Sequence, residues 1–263
     1  MLRMYFVQHG FNLGDQACED ALLDSLSLHR FVGIDLGRER VPDATTLLEF
    51  RRLLEKHSLG KALFAEVGAV LQTHGMKVGT DTIVDATLIS APSSTKNSDK
   101  ARDSEMHQTR KRKQRYLGMK PHIGVDSATG LAHSAVVTAA NVHDKHPLPD
   151  LLHGQEEFVY GDCACACQQD SIASKAPNAQ VLTNRRARKG SVTEGLDRMV
   201  NRANSRVRAR VEHVFGVVKR LWRFGKARYR GLAKNATRAF VALLGVNYPE
   251  LSATTIVSGA VGR

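Results

Sequence analysis

Along residues 1–78 the apolar side chains recur at helical spacing, in Ala21, Leu22 and Leu26 and again in Leu47, Leu48, Phe50, Leu53 and Leu54, which predicts a run of short helices. Pro42-Asp43 marks the start of one of them, with Asp43 as its cap and the threonines that follow suited to its first turn. Past Gly75 and Gly79 the pattern changes. Thr82 to Ile89 is rich in β-branched residues and bounded by Gly79 and Pro92, so a largely buried strand is expected there. Residues 93–120 are polar and basic without periodicity, which reads as a long surface loop or a partly ordered insertion. Two strands are expected at 122–126 and 131–137, joined by the hairpin-type turn Ser127-Ala128-Thr129-Gly130, which Asp126 serves. A short helix over 145–153, a buried strand over 158–162 and a last strand over 181–183 follow. A long helix is expected over 196–221, and a closing helix starts at Val241 without continuing past Gly245. Helices first, then strands mixed with helices, predict a small helical region (1–78), an α/β domain (79–244) and an atypical tail (245–263).

The chain has 263 residues, 42% hydrophobic and 24% charged, long enough to bury a proper core and unlike a disordered or collagenous chain. No run approaches the ~18 apolar residues that would span a bilayer, and Met1 to Phe6 is too short and mixed for a signal peptide, so a cytosolic location is expected. Cys18, Cys163, Cys165 and Cys167 are too few and too unevenly placed for a disulfide framework and are expected as free thiols. The net charge of +12 is not evenly spread: residues 1–93 carry 9 basic and 12 acidic groups, 94–120 carry 9 and 3, and 185–238 carry 17 and 3. Like charges so concentrated repel one another unless a polyanion lies nearby, which makes nucleic acid the leading partner.

Asp85 and Asp162 each interrupt an apolar strand. Singly, either suits a turn or a cap. A buried acidic group must be paired, protonated or bound to a cation, and two of them in basic surroundings favour a divalent metal. The long helix sorts its side chains into three faces: Val207, Val211, Val214, Phe215, Val218 and Leu221 toward the core, Ser205, Arg208, Glu212 and Lys219 beside it, and a basic face of Arg202, Arg206, Arg210 and Arg220. Glu212 either pairs with Arg208 one turn earlier or stands as a third ligand, with Arg208 and Lys219 placed to meet phosphates.

From Met1 to about Leu244 the chain resembles the DDE transposases of bacterial insertion sequences, in the insertion sequence five family. The resemblance rests on the segment from Asp85-Ala86-Thr87-Leu88-Ile89 to Thr95, on Met106-His107-Gln108-Thr109, His122-Ile123-Gly124-Val125-Asp126, Tyr160-Gly161-Asp162, and on Arg208 to Phe215. It implies an RNase H-like catalytic domain, a mixed sheet flanked by helices. The first aspartate would lie on the first strand, the second after the fourth, and the glutamate on a later helix. Asp85, Asp162 and Glu212 would then be the catalytic triad, holding two Mg²⁺ (or Mn²⁺) ions ~3.5–4 Å apart. Water would attack the phosphodiester at each transposon end, and the freed 3′-OH would attack target DNA. The implied partner is double-stranded DNA, held by a homo-oligomer in a synaptic complex. Arg110, Lys111, Arg112 and Lys113 would neutralise its phosphates and position the duplex without reading sequence. Lys120, which with His122 forms a Lys-x-His pair of the kind found in the family, is expected on phosphate; His122 contacts phosphate or packs. Arg223, Lys226, Arg228, Tyr229 and Arg230 mix cations with an aromatic ring, as a DNA-contacting surface or an exposed helix end does.

Some features depart from the family's pattern. Ser205 stands where the helix signature carries tyrosine, and Cys163-Ala164-Cys165-Ala166-Cys167 follows Asp162 without a fourth ligand at a zinc-like spacing. Relatives carry several tens of residues before the point matching Met1, and the tail is atypical. These features lead to the expectation of a truncated or decayed element, and to an alternative in which a weakened or inactive transposase remnant only binds DNA. A nuclease that hydrolyses strands without joining them is a further rival.

Overall fold

The computed structural model describes residues 1–76, 79–111, 113–162, 168–184 and 194–248. Five helices come first: α1 (Leu2–Gly10), α2 (Asp15–Asp24), α3 (Leu26–Val32), α4 (Ala44–Lys56) and α5 (Leu59–Thr73). Asp43 caps α4 as expected, its carboxylate accepting the Thr46 N–H at 2.6 Å, and Ser25 caps α3 through the Leu28 N–H at 3.4 Å. Strands β1 (Asp81–Ala86), β2 (Ile89–Ser90), β3 (His107–Lys111), β4 (Gln114–Asp126) and β5 (Ala132–Ala139) follow. After them come β6 (Phe158–Gly161), α6 (Gln169–Lys175), β7 (Gln180–Thr183), α7 (Glu194–Arg220) and α8 (Leu232–Asn247).

The seven strands form one sheet along the path β2-β4-β1-β6-β7, with β3 and β5 also paired to β4. Gly118 pairs with Ser90 and with His107, and Met119 with Ile89 and with Ala139. One edge of β4 therefore carries β1 and β2, and the other carries β5 and then β3. The strands meet so closely at Gly118 that a Cβ there would lie 2.1 Å from the Ile89 carbonyl oxygen. The turn after β4 is held by Asp126, whose carboxylate accepts from Thr129 N–H at 2.6 Å while its other oxygen accepts from Gly79 N–H at 2.9 Å.

Both faces of the sheet are covered. Ile83, Met119 and Ile123 point into a large core shared with Met4, Tyr5, Leu22 and Leu47 of the first helices and with Val214, Trp222, Phe224 and Val241. Val84 and Val159 face a smaller cluster with Leu148, Leu151 and Ile172. Burial of each such side chain contributes roughly 1.5–3 kcal/mol. This is the α/β, RNase H-like layering with preceding helices. Asp162 follows β6, the sixth strand in chain order rather than the fourth, because β2 and β3 are additional strands paired to β4.

Several expectations are corrected. The segment 93–120 is not simply a loop, because its second half forms β3 and the start of β4; neither face of that hairpin is apolar, so no period-two signal exists. The helix expected over 145–153 shrinks to a single 3-10 turn, Leu148–Leu151, because Pro147 and Pro149 supply no N–H donors. Helix α8 begins nine residues before Val241 and passes through Gly245. Leu221 lies beyond α7 and is 54% exposed, whereas Val211, Val214, Phe215 and Val218 are buried as the stripe predicts. Among the described residues no helix is long and apolar enough to cross a membrane.

Candidate active site

Strand β1 runs parallel to β6 with Ile83 opposite Tyr160. Two residues further on, this register sets Asp85 beside Asp162, near the carboxyl ends of neighbouring parallel strands, where an open sheet offers a crevice. Both line a cleft whose other walls are Val84, Ala86, His122, Asp144, Leu148 and Leu151. The Asp85 side chain is 28% exposed. Burial pushes its carboxyl above the ordinary value of 3.8, and the Asp162 carboxylate pushes the same way. The Ala86 N–H, which donates to it at 2.8 Å, and the Arg208 guanidinium oppose that rise.

Arg208 reaches the cleft from α7, its Nη2 lying 3.5 Å from Asp85 Oδ2. Helix α7 packs across β1, β6 and β7, which is why one of its side chains meets the end of β1. Glu212, one turn further along, is exposed. Among the described residues, no group of three or more His, Cys, Asp or Glu side chains could hold a metal ion. The fold thus brings Asp85, Asp162 and Arg208 together and leaves Glu212 outside the carboxylate pair. A carboxylate whose protonation is favoured by burial and by a second carboxylate marks a deficit of positive charge, and two hard oxygen donors in one cleft suit a divalent cation. These residues fit a divalent cation.

The opposite wall is built differently from the expectation. Lys120 does not project toward solvent: its Nζ donates to the Val142 carbonyl at 2.8 Å and to Asp144 Oδ1 at 2.9 Å, pinning the loop after β5 against the sheet. His122 is 1% exposed, its Nε2 lies 2.8 Å from Thr138 Oγ1, and burial pulls its pKa down to about 4 despite the Asp144 carboxylate 3.8 Å from Nδ1. Its packing role is thus realised. Asp144, which sequence reasoning missed, joins the cleft. It lies in the loop after β5, where a carboxylate gives no signal in the sequence.

The basic residues divide. Lys219 is half-buried, and burial together with the nearby Lys111 ammonium lowers its pKa. The β3–β4 hairpin therefore brings Lys111 to the C-terminal end of α7. Arg110, Lys111 and Lys113 are exposed, while Arg112 lies outside the described residues. Arg228 and Tyr229 turn inward, contrary to the surface role considered for them. Arg228 donates to the Leu13 carbonyl, and the Tyr229 hydroxyl accepts from Arg51 at 3.0 Å. Arg230 pairs with Asp99. Ser205 is exposed, its hydroxyl accepting from Asn184 at 3.4 Å. Cys18 is a buried free thiol pushed up to about 12, and Cys163, Cys165 and Cys167 lie outside the described residues.

Comparison with known proteins adds to this geometry. Residues 77–248 match a family model described as a transposase DDE domain, and residues 1–53 match one described as a transposase domain (DUF772). No solved structure matches the chain. With nearly two thirds of its length under the first model and its two strand-end aspartates side by side in one cleft, the chain belongs to the DDE transposases of insertion sequences.

Proposed function

We propose that this transposase catalyses metal-dependent DNA strand cleavage and 3′-OH strand transfer at the ends of an insertion sequence. The observation that carries the reading is the pairing of Asp85 with Asp162 at the ends of adjacent parallel strands. Asp85 and Asp162 would hold Mg²⁺ or Mn²⁺, with Glu212 on α7 as the third carboxylate. The bound ions supply charge neutralisation at the attacking and leaving oxygens of the phosphodiester. Arg208 neutralises Asp85 and offers its remaining donors to a phosphate oxygen. The Lys120–Asp144 pair fixes the wall of the cleft, and His122, held neutral, adds no charge to it. Lys219, with Lys111 and its neighbours Arg110 and Lys113, forms a cationic surface toward which the DNA backbone is drawn. Arg112 is proposed for the same role from its sequence position alone. A homo-oligomer would bring two transposon ends together.

The test uses the full chain with a labelled duplex carrying sequence from the border of the element, in Mg²⁺, Mn²⁺ or EDTA, beside Asp162→Ala. Nicking in either metal that EDTA and the substitution abolish supports the assignment. Products joined to a second duplex separate a transposase from a nuclease that only hydrolyses. The exposed Glu212 and the serine at position 205 favour one second reading, a protein that binds DNA without cutting it. Binding with no nicking in either metal would establish that reading instead.

A further inference from the structure

Towards its start strand β4 leaves the body of the sheet: Leu117 still accepts from the Ala91 N–H at 2.8 Å and packs on the core, and past it, among the described residues, Gln114–Tyr116 pair only with β3, so His107–Lys111 and Gln114–Leu117 form a two-stranded ribbon. Each strand is exposed or half-exposed along this stretch. Residues directly opposite in an antiparallel pair share a face. One face carries Gln108 opposite Leu117 and Arg110 opposite Arg115; the other carries Thr109 opposite Tyr116 and Lys111 opposite Gln114. The first face thus gathers two arginines and a glutamine, the side chains whose paired donors and acceptors match the guanine and adenine edges. On the second face the Lys111 ammonium is felt by Lys219 of α7, so this side of the ribbon adds to the positive charge at that end of the helix. The same basic load disfavours pairing of the β3 edge with another copy of the chain.

Two rulers locate the ribbon relative to the aspartates. Along β4, Ile123 stands opposite Asp85 and Gln114 stands opposite Lys111, nine residues or ~30 Å apart at ~3.3 Å each. Along α7, Arg208 reaches Asp85 and Lys219, whose ammonium feels that of Lys111, stands eleven residues or ~17 Å further on at ~1.5 Å each. At ~3.4 Å per base pair, the ribbon sits roughly five to nine base pairs from a phosphate held in the cleft. A two-stranded ribbon fits the ~12 Å width of the major groove.

We infer that the β3–β4 ribbon enters the major groove of the bound duplex and reads its sequence through Gln108, Arg110 and Arg115, rather than serving only to neutralise phosphates. This inference rests on the reading of the protein as an enzyme that acts on duplex DNA. Its test is a binding selection in EDTA from duplexes with a randomised central segment, using the full-length protein and the double substitution Arg110→Lys, Arg115→Lys. Lysine keeps the charge but loses the paired fork of donors. The wild type should enrich a short guanine-containing motif. The variant should lose between about 5- and 100-fold of that preference, with its thermal midpoint and the salt dependence of overall binding unchanged. Replacement of the motif's guanines by 7-deazaguanine, which removes the major-groove N7 acceptor, should erase the wild-type preference as well. The same motif in both proteins, a preference indifferent to 7-deazaguanine, or duplex binding with no preference would overturn the inference while leaving the proposed chemistry standing. Failure of the wild type to bind any duplex would overturn both.

Discussion

Gly245 offers a sharp test of the packing argument because it lies inside α8, where glycine is a poor helix former. A Cβ built on it would fall 1.7 Å from Trp222 Cζ2, with two further ring carbons within 2.6 Å. Trp222 is 1% exposed and packs edge-on to Phe6, ring centroids 6.1 Å apart. Gly245→Ala should gain about 1 kcal/mol in helix propensity. Against this, an ordinary carbon contact is ~3.5–4.0 Å, so the indole must retreat by about 2 Å. Overpacking of a closed core costs about 1–3 kcal/mol, and wholesale displacement of the ring costs about 3–5 kcal/mol, the loss typical of Trp→Ala. The expected balance is a loss of roughly 2 kcal/mol, or a fall of about 4–8 °C in melting temperature for a chain of this size. The assay is simple because the protein has a single tryptophan. The displaced ring would move toward the cleft it shares with Val214, Val217 and Leu221, so its emission should shift to the red. A variant as stable as the parent with unchanged emission would show that the glycine is not required by Trp222.

Two further outcomes follow from buried polar groups. Asp15→Asn removes the carboxylate that meets the Arg51 guanidinium at 2.7 and 3.0 Å. Arg51 is nearly fully buried and Asp15 about one third exposed, so a loss of roughly 2 kcal/mol is expected in urea denaturation at neutral pH, below the range for a fully buried pair. The Arg51 hydrogen bond holds the Asp15 carboxyl below 3.8. Its contribution is therefore present above that pH and fades below it, and the gap between variant and parent should close in acid. His122 and His133 are both pulled down to about 4 by burial, from 6.5 in the unfolded chain. The unfolded state takes up their protons first, so stability should be level above pH 6.5 and fall between there and about pH 4, by up to ~1.4 kcal/mol per pH unit for each histidine. Conversion of both to glutamine should flatten that interval in a pH series of denaturation midpoints, and a slope that survives would assign the loss to other groups.

The apolar periodicities indicated a helical first region and placed α4, the core stripe of α7 and strand β6, but the run 21–26 crosses the break between α2 and α3, α1 and α5 were not placed, and the strand read over 82–89 divides into β1 and β2. The placed elements bury one face or both, so their composition carries their position. The β3–β4 ribbon escaped because, Leu117 apart, its side chains stay largely exposed. Arg238 and Asn235 hid the start of α8 for the opposite reason: their polar names suggest solvent, yet they are 2% and 0% exposed. Arg238 lies over the Phe224 ring at 4.6 Å, and Asn235 holds the Arg228 N–H at 3.1 Å. Asp85 and Asp162 were legible because a carboxylate inside an apolar strand contradicts its surroundings. Asp144 was not, since a carboxylate in a loop contradicts nothing until Lys120 is seen to hold it beside the other two. The inward turn of Arg228 and Tyr229 was equally invisible, because it depends on partners more than 170 positions away.

Helix α8 touches α1, α4, α5 and α7 as well as β4 and β5, and that has a consequence for synthesis on the ribosome. The opening helices pack against one another, but α1, α4 and α5 also complete their packing on the final described helix, so part of their apolar surface emerges long before it can be covered. Local helices form within microseconds, while the ribosome adds only some 5–20 residues per second. The early helices must therefore wait for seconds with that surface uncovered, a period in which chaperones or aggregation compete for them. The sheet likewise lacks its cover over β4 and β5 until the same helix is made. Completion of the fold thus waits for the synthesis of α8, and nascent chains that stall short of Leu232 should be caught by proteases rather than persist as partly folded species.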